Sequence, residues 1–366
     1  MLRSVGVAAR FRLPLLAGLV ITFACGPGSS PATTEDRADL IPEPAIPWDP
    51  EHYVAYRADE SVTIDGELSE PAWRAAEWTS LFVDIEGSLR PEPRFSTRAK
   101  MLWDSAYFYV AAEMEEPHVW STLTDRDAVI YHDNDFEVFV DPNGDTHEYY
   151  ELEINALGTE WDLFLVKPYR DGGPALNAWD IRGLLTAVSV DGTLNDPSDL
   201  DVGWSVEIAI PWDVLAEAAH RDAPPAHGDQ WRVNFSRVEW RAEIVNGRYE
   251  KAEEPEDNWV WSPQGLIAMH YPEMWGIVQF STATVGSGTE VFLPRLEDEA
   301  RWLLRQVYYK EHAWFHLYGV FTDDARALGL PDSPFDLRIS ATGAVFEARL
   351  LVNEREMRIS RDGRVW

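Results

Sequence analysis

Carboxylate and amide side chains alternate with apolar ones along a predicted β-strand in the middle of this chain. Tyr150, Leu152 and Ile154 fall on one face of the segment 149–155, because successive side chains of a strand point to opposite faces. Its other face then carries acidic and amide groups, which can exchange hydrogen bonds with a polyhydroxylated ligand. The same alternation in neighbouring predicted strands extends this polar surface, whose expected members are Glu137, Glu151, Glu153, Asn155, Glu207 and Asn234.

Aromatic residues are the second feature with chemical meaning. The chain has 17 Trp and 13 Tyr, more than a core alone requires, so we expect some of these rings to be exposed. A pyranose ring has an apolar face that packs on indole or phenol rings and a rim of hydroxyls that bind carboxylates and amides. So many acids on one face would repel each other without a ligand, a cation or an arginine between them. The combination therefore predicts a saccharide site.

A short acidic motif lies just after one of the predicted strands. Asp141, Asn143 and Asp145 occupy alternate positions around Gly144, a spacing that offers oxygen ligands to calcium. The acid that ends a helix-flanked calcium loop is missing, because Leu152 stands at that position. Asn and Asp favour turns on their own account. A hairpin turn is therefore the preferred interpretation, and a structural calcium site is the alternative.

The elements that must position these groups are mostly strands. Short alternating segments separated by Gly, Pro, Asn and Asp between residues 54 and 281 predict a mainly β fold, an antiparallel β-sandwich of jelly-roll type. From residue 294 onward, apolar residues recur at helical spacing, and we expect this helix to end at Gly329 and Pro331. Short strands follow, so the sandwich occupies 51–285 and a small C-terminal α+β extension of unknown role occupies 290–366.

The N-terminus has the pattern of an export signal. Arginines precede an apolar run at 13–24 that is too short to span a bilayer. Cys25, the single cysteine of the chain, ends this run at the place where bacterial lipoproteins carry their acylated cysteine; ordinary cleavage beside an incidental cysteine is the alternative. We expect a signal peptide at 1–25, a proline-rich tether at 26–50, and a protein of the cell envelope, anchored by lipid in the outer membrane or at the cell surface.

Charge excludes one class of partner. The formal net charge is −32, and such a surface repels phosphate backbones, so we expect no nucleic acid partner. The chain has no GxSxG, HExxH or phosphate-binding glycine motif. A glycosidase needs two opposed carboxylates, but acids are too numerous here for any pair to stand out.

Five blocks of sequence, in order, resemble the family 9 carbohydrate-binding modules. They are 64–73 (IDGELSEPAW), 102–110 (LWDSAYFYV), 134–141 (NDFEVFVD), 203–212 (GWSVEIAIPW) and the pair 261–263 (WSP) with 275–276 (WG). The resemblance implies a β-sandwich that grips a terminal sugar between two aromatic platforms, with bound calcium in some members.

The resemblance also implies roles for particular residues. Glu137 corresponds to the sugar-binding acid, and Tyr131 or His132 to the first platform. Glu153 stands in place of a binding arginine, which reverses the charge. The second platform falls near Met269, and Trp259 and Trp261 are close enough in sequence to replace it. The full set of expected saccharide-binding residues is Tyr131, His132, Glu137, Glu153, Asn155, Trp161, Arg237, Trp259 and Trp261.

The main hypothesis is non-catalytic binding of a saccharide chain end, in support of polysaccharide breakdown or uptake by a partner hydrolase or transporter. Two alternatives remain open. One is a glycoside hydrolase acting through acids such as Glu137 and Glu153. The other is a haem-binding or metal-binding redox sandwich, for which Met269 and His270 are the candidate ligands.

Overall fold

The computed structural model describes residues 40–366, so the predicted export signal, Cys25 and the first part of the predicted tether lie outside the described residues. The strands, in chain order, are β1 (His52–Arg57), β2 (Val83–Asp84), β3 (Thr97–Trp103), β4 (Tyr107–Glu115), β5 (Asp135–Asp141), β6 (Tyr149–Asn155), β7 (Glu160–Leu165), β8 (Ala175–Leu176), β9 (Leu185–Asp191), β10 (Gly203–Pro211), β11 (Gln230–Glu239), β12 (Ala242–Val245), β13 (Arg248–Lys251), β14 (Asp257–Val260), β15 (Gly276–Thr284), β16 (Arg338–Ala341), β17 (Phe346–Val352) and β18 (Arg355–Ser360). The α-helices are α1 (Pro71–Ala75), α2 (Trp212–Ala219) and α3 (Leu296–Tyr318).

Within residues 40–366, thirteen strands join in one sheet, and eleven of them form a continuous path. Its order is β8-β7-β6-β5-β11-β15-β1-β3-β4-β10-β9, and β14 pairs with both β11 and β2. Strand β1 runs parallel to its neighbours β15 and β3, whereas the other pairings of this sheet are antiparallel. We call β8-β7-β6-β5-β11 the first layer and β3-β4-β10-β9 the second layer.

The two layers face each other across one apolar core. Val138 and Leu152 of the first layer share this core with Val110 and Val206 of the second layer, and all four are buried. Each inward residue is flanked in sequence by outward ones, so alternation alone decides which side chains reach the core. The predicted mainly β sandwich is confirmed, and the first layer presents its second face away from the core.

Helix α3 opens the C-terminal extension, and Leu304 and Val307 on its buried face pack against Ala348 and Ile359 of β17 and β18. The helix ends at Tyr318, because Gly319 adopts a left-handed conformation with φ of 74° and its N–H bonds the carbonyl of Phe315. The prediction that the helix continues to Gly329 is therefore wrong. Over residues 40–366, the helices include none that is both long and apolar enough to cross a membrane.

Residues 41–48, expected to belong to an extended tether, instead pack on the folded chain. Ile41 is buried in the same core as α3. The ring of Trp48 stacks on Trp302 with centroids 5.8 Å apart, and its Nε1 donates a hydrogen bond to the Glu273 carbonyl at 3.0 Å. The tether prediction is wrong for this part, because apolar side chains at 41 and 48 find apolar partners far along the sequence.

Candidate functional site

Buried acids line the outer face of the first layer. Glu137 of β5 lies directly opposite Glu153 of β6, and Glu151 lies opposite Phe139. These three acids are only 1–6% exposed, and Asp135, two residues before Glu137 on the same face, is fully buried. We call Asp135, Glu137, Glu151 and Glu153 the acid cluster. The alternation in the sequence placed its three glutamates on one face, as the structure has them.

Three members of the acid cluster converge closely. One carboxylate oxygen from each of Asp135, Glu137 and Glu153 lies within 4.8 Å of the other two. Protein donors satisfy some of the oxygens: the Val238 N–H donates to Asp135 Oδ1 at 3.1 Å, and the Tyr131 N–H donates to Glu153 Oε2 at 2.9 Å. This convergence brings negative charge together where water is excluded.

Two oxygens of the acid cluster, Asp135 Oδ2 and Glu151 Oε2, have no hydrogen-bond partner among residues 40–366. Burial raises the pKa of Glu137 to about 7. Burial, followed by the charge of neighbouring acids, raises the pKa values of Asp135, Glu151 and Glu153 well above their usual range. Loss of hydration is the main cause in each case, and like-charged neighbours add to it at Asp135, Glu151 and Glu153. The cluster therefore has unused capacity to bind protons, a cation or ligand hydroxyls.

Aromatic side chains surround the acid cluster. Tyr131 and Tyr169 are 38% and 51% exposed, and His132 is exposed as well. The Tyr131 ring lies 4.8 Å from that of His132 and 6.3 Å from that of Trp161, whose strand position is directly opposite Glu153. We call Tyr131, His132, Trp161 and Tyr169 the aromatic rim. It exposes aromatic side chains next to buried carboxylates.

A neighbouring hairpin holds the first half of the rim in place. The indole Nε1 of Trp240 donates to the Tyr131 carbonyl at 2.8 Å. Lys251, at the end of β13, donates to the His132 carbonyl, and its ammonium group lies 3.7 Å from the centre of the Trp240 ring. The hairpin of β12 and β13 thus fixes the backbone that carries the two exposed rings.

Met269 and His270, the candidates for a haem or metal ligand pair, lie beside the rim. Met269 packs against Trp275 in a small apolar cluster on the same outer face. His270 Nδ1 is 3.0 Å from the Tyr149 hydroxyl, and its ring packs against Tyr169 at 4.5 Å. Burial, with the nearby charge of Arg170, lowers the pKa of His270 to about 3, so the imidazole is neutral at pH 7. Here His270 supports Tyr169.

Arg237, Trp259 and Trp261 lie on the opposite side of the first layer from the acid cluster. Arg237 is fully buried and forms ion pairs with Glu116 and Glu239, each at 2.8 Å. Trp259, directly opposite Arg237 on β14, and Trp261 are 1–2% exposed within the main core. The prediction that these three residues contact a ligand at the acid cluster is wrong, because strand alternation turns them inward.

Two predicted members of the polar surface are occupied by structural hydrogen bonds. The Asn155 amide nitrogen donates to the Leu123 carbonyl and to Asp133, and its oxygen accepts two backbone N–H groups. Asn234 exchanges two hydrogen bonds with the backbone of Ser262. These amides fix the loops beside the site and have little capacity left for a ligand.

The prediction that Glu207 shares the polar surface with Glu137 is also wrong. It lies on β10 in the second layer, where its carboxylate accepts hydrogen bonds from the Asp65 and Gly66 N–H groups and from Trp73 Nε1. Gly66 has φ of 86°, and a Cβ there would meet the Val188 backbone at 2.6 Å, so this close approach requires glycine. Glu207 therefore anchors a turn on the opposite outer face.

The Asp141 motif forms a turn between β5 and β6. The Gly144 and Thr146 N–H groups donate to Asp141, and the Asp145 N–H donates to the Asn143 side chain. Arg364 forms an ion pair with Asp145 at 3.0 Å. These bonds are those of the hairpin turn that the sequence favoured, and calcium at Asp141, Asn143 and Asp145 stays a prediction.

Sequence reasoning missed Asp135 as a member of the site. A signal was present, because Asp135 lies two residues before Glu137 and must share its face if β5 begins that early. Tyr169 lies in the loop 167–173, and its approach to the acids across β6 and β7 depends on tertiary structure. The cluster and rim are thus assembled from segments that lie up to 38 residues apart in the chain.

An open groove lies on the outer face of the second layer. This open groove has a volume of about 840 Å³, and its walls include Arg98, Glu113 and Ser205. Arg98 forms an ion pair with Glu113 at 2.9 Å, and its guanidinium group lies over the Trp78 ring. The groove contains none of the expected saccharide-binding residues, so it is a rival location against which the rim can be tested.

Residues 64–234 match the family model described as carbohydrate family 9 binding domain-like. The chain is also similar to exoglucanase XynX of Acetivibrio thermocellus, with 30% identity over 149 residues, which make up 41% of this chain and 11% of that relative. The shared part is therefore a small fraction of the relative.

Two solved structures of a family 9 carbohydrate-binding module from Caldicellulosiruptor kristjanssonii, one with cellotriose and one with glucose, align with TM-scores of 0.41 and 0.42. Their identities are 16% and 17%, over 66% and 65% of this chain and 100% of each module.

Proposed function

We propose that the chain binds saccharides without catalysing a reaction on them, because residues 64–234 match the family model described as carbohydrate family 9 binding domain-like. The single observation that carries the proposal is that this matched segment contains both the acid cluster and the aromatic rim. Ring faces can pack on the apolar side of a sugar while carboxylates accept hydrogen bonds from its hydroxyls. Both requirements are met within one small area of the first layer.

The burial of the acids favours a saccharide chain end as the ligand. Glu137 and Glu153 are at most 5% exposed, and Glu153 lies directly opposite Trp161 and accepts the Tyr131 N–H, so we expect only the end of a ligand to reach these acids. A terminal sugar can insert in this way, whereas an internal sugar is flanked by its neighbours on both sides. The exposed rings of Tyr131 and Tyr169 would then pack on the terminal residue.

The setting we propose is the cell envelope, with a lipid anchor on Cys25 and a partner hydrolase or transporter that uses the bound saccharide. The support is the charged and apolar pattern that precedes Cys25. Metabolic labelling with a palmitate analogue in a bacterial host checks the anchor: the unchanged chain should be labelled, and Cys25→Ser should not. Labelling of both proteins would place the lipid elsewhere.

A glycan array probed with the purified full-length chain is the decisive experiment for saccharide binding. We expect hits that share one terminal sugar, and we expect Tyr131→Ala to weaken them. Arg98→Ala, in the groove of the second layer, should leave them unchanged. Hits lost with Arg98→Ala and kept with Tyr131→Ala would move the site to the groove.

The non-catalytic part of the proposal needs its own test. Chromogenic glycosides incubated with the purified chain should show no turnover above the buffer rate. Steady turnover that disappears in both Glu137→Gln and Glu153→Gln would contradict it, and would assign these acids to hydrolysis.

A further inference from the structure

Several buried acids elsewhere in the described chain are paired with an arginine. Glu116 and Glu239 are paired through Arg237, and Glu273 is paired with Arg170 at 2.8 Å. The acid cluster differs, because its four carboxyl groups form no ion pair with any residue of the range 40–366. Its negative charge therefore lacks a counter-charge from the described protein.

The geometry of the cluster suits a bound ion. Asp135, Glu137 and Glu153 each direct one oxygen to within 4.8 Å of the others, and all three are buried. An independent sign of a missing partner comes from Glu151, which is 94% buried, has an unpartnered Oε2, and places its carboxyl group within hydrogen-bonding reach of Glu153. Asp135 Oδ2 is likewise without a partner in the described part of the chain.

We propose that Asp135, Glu137 and Glu153 bind a divalent cation, with calcium as the ion, and that Glu151 completes the acidic surroundings. Carboxylate oxygens are hard ligands, and the converging groups include neither a thiolate nor an imidazole, which selects calcium or magnesium over zinc or copper. Calcium accepts irregular sets of oxygen ligands, whereas magnesium demands near-octahedral geometry.

A second acidic group in the described residues has no need of a cation. Asp127, Asp162 and Asp180 also bring oxygens within 4.8 Å of one another, but Arg126 forms ion pairs with all three. The contrast identifies the acid cluster, and not acidity in general, as the cation site.

The cation would also act on the aromatic rim. Glu153 Oε2 accepts the N–H of Tyr131, so a cation that fixes Glu153 fixes the backbone of an exposed rim ring as well. This step rests on the proposed function, because it makes saccharide affinity depend on calcium. The cation site itself stands whether or not the ligand is a saccharide.

Calcium titration of the full-length chain after dialysis against EDTA tests the proposal. Calorimetry in about 0.15 M NaCl suppresses diffuse binding to a surface of net charge −32. We expect one calcium per chain, and terbium luminescence excited through the nearby Trp161 and Tyr131 rings. Glu153→Gln and Asp135→Asn should each weaken binding about tenfold or more. Glu113→Gln, an acid on the second layer paired with Arg98, should not change it.

The outcomes separate the cation from the saccharide. The absence of stoichiometric calcium binding would overturn the inference and indicate that the acids share protons. Loss of binding with Asp145→Asn, but not with Glu153→Gln, would also overturn it by moving the ion to the turn. If saccharide binding persists in EDTA, saccharide affinity does not depend on calcium, and the proposed function is unaffected. If the chain binds calcium but no glycan, the proposed function is wrong and the cation site is supported.

Discussion

Glu137 and Glu153 face each other across the antiparallel pair of β5 and β6, and both are buried. Like charges directly opposite each other in a sheet oppose folding, and burial removes the water that would screen them. The first layer thus carries, at its centre, a pair that destabilises the fold when both members are ionised. The predictions below follow from this pair and from the contacts around it.

Glu153→Gln should stabilise the metal-free chain. The amide keeps an oxygen for the Tyr131 N–H while it removes one of the two opposed charges, so in EDTA at pH 8 we expect a gain of about 1 kcal/mol in the free energy of unfolding. In excess calcium the order should reverse, because the unchanged chain gains about 2.7 kcal/mol at a hundredfold excess over Kd. Urea denaturation in each buffer measures both effects. A variant less stable than the unchanged chain in EDTA would contradict the prediction.

Tyr131→Ala and Tyr169→Ala should each weaken saccharide binding about tenfold, since a packed ring contributes roughly 1 kcal/mol beyond its buried area. Both rings are substantially exposed, so the fold should keep its stability. Tyr318→Ala is the matched control, because Tyr318 is also exposed but lies at the end of α3. Titration of the best glycan-array ligand gives the three affinities. Equal affinities for all variants would show that the rim is not the binding surface.

Arg237→Met should lower the free energy of unfolding by about 3–5 kcal/mol, because it leaves Glu116 and Glu239 buried without their cation. Adding Glu239→Gln should restore part of this loss. Saccharide affinity of the folded variant should not change, since Arg237 points to the inner side of the layer. Denaturation and ligand titration on the same samples separate the two roles. A loss of affinity with an unchanged circular dichroism spectrum would indicate that Arg237 contacts the ligand.

The local part of the site could be predicted from the sequence. Strand alternation has a period of two residues and depends only on neighbours in the chain, so it placed Glu137, Glu151 and Glu153 on one face. Which strands lie beside each other is not a local property. Glu207 follows the same alternation, yet it lies on the second layer, because β10 pairs with β4 and β9.

The burial of aromatic residues could not be predicted from the sequence either. Trp259 and Trp261 resemble exposed platforms in sequence, but they fill the core between the layers. Residues 41–48 resemble a tether because their partners, such as Trp302, lie about 250 residues later. The early end of α3 had a local signal in Gly319, which the sequence analysis passed over in favour of Gly329 and Pro331.

The free energy of unfolding should decrease at acidic pH, because Glu273 becomes protonated. Burial alone would raise the pKa of Glu273, but Arg170 and Arg305, with a hydrogen bond from Tyr309, lower it to about 2. Because this value lies below the ordinary 4.5 of the unfolded chain, ionised Glu273 stabilises the fold above pH 4.5, and the contribution is lost as the pH falls towards 2. The full effect is about 3 kcal/mol.

Comparison with Glu273→Gln isolates this contribution, because every other acid titrates in both proteins. The difference in free energy of unfolding should be large at pH 6 and should shrink as the pH falls below 4.5. Glu299→Gln, at an exposed position of α3, should show no such dependence. A difference that is constant from pH 6 to pH 3 would show that Glu273 is not the titrating group.

Trp48→Ala should release residues 41–48 from the folded chain. The ring stacks on Trp302, and its Nε1 binds the Glu273 carbonyl, so the change removes packing and a hydrogen bond worth about 1–2 kcal/mol together. Hydrogen–deuterium exchange should then become faster at the Ala45 N–H, which donates to the Gly265 carbonyl at 3.1 Å. Trp366→Ala, which removes an exposed ring elsewhere, should not change this exchange. Equally fast exchange at Ala45 in all three proteins would mean that residues 41–48 are free in solution, as the sequence alone had suggested.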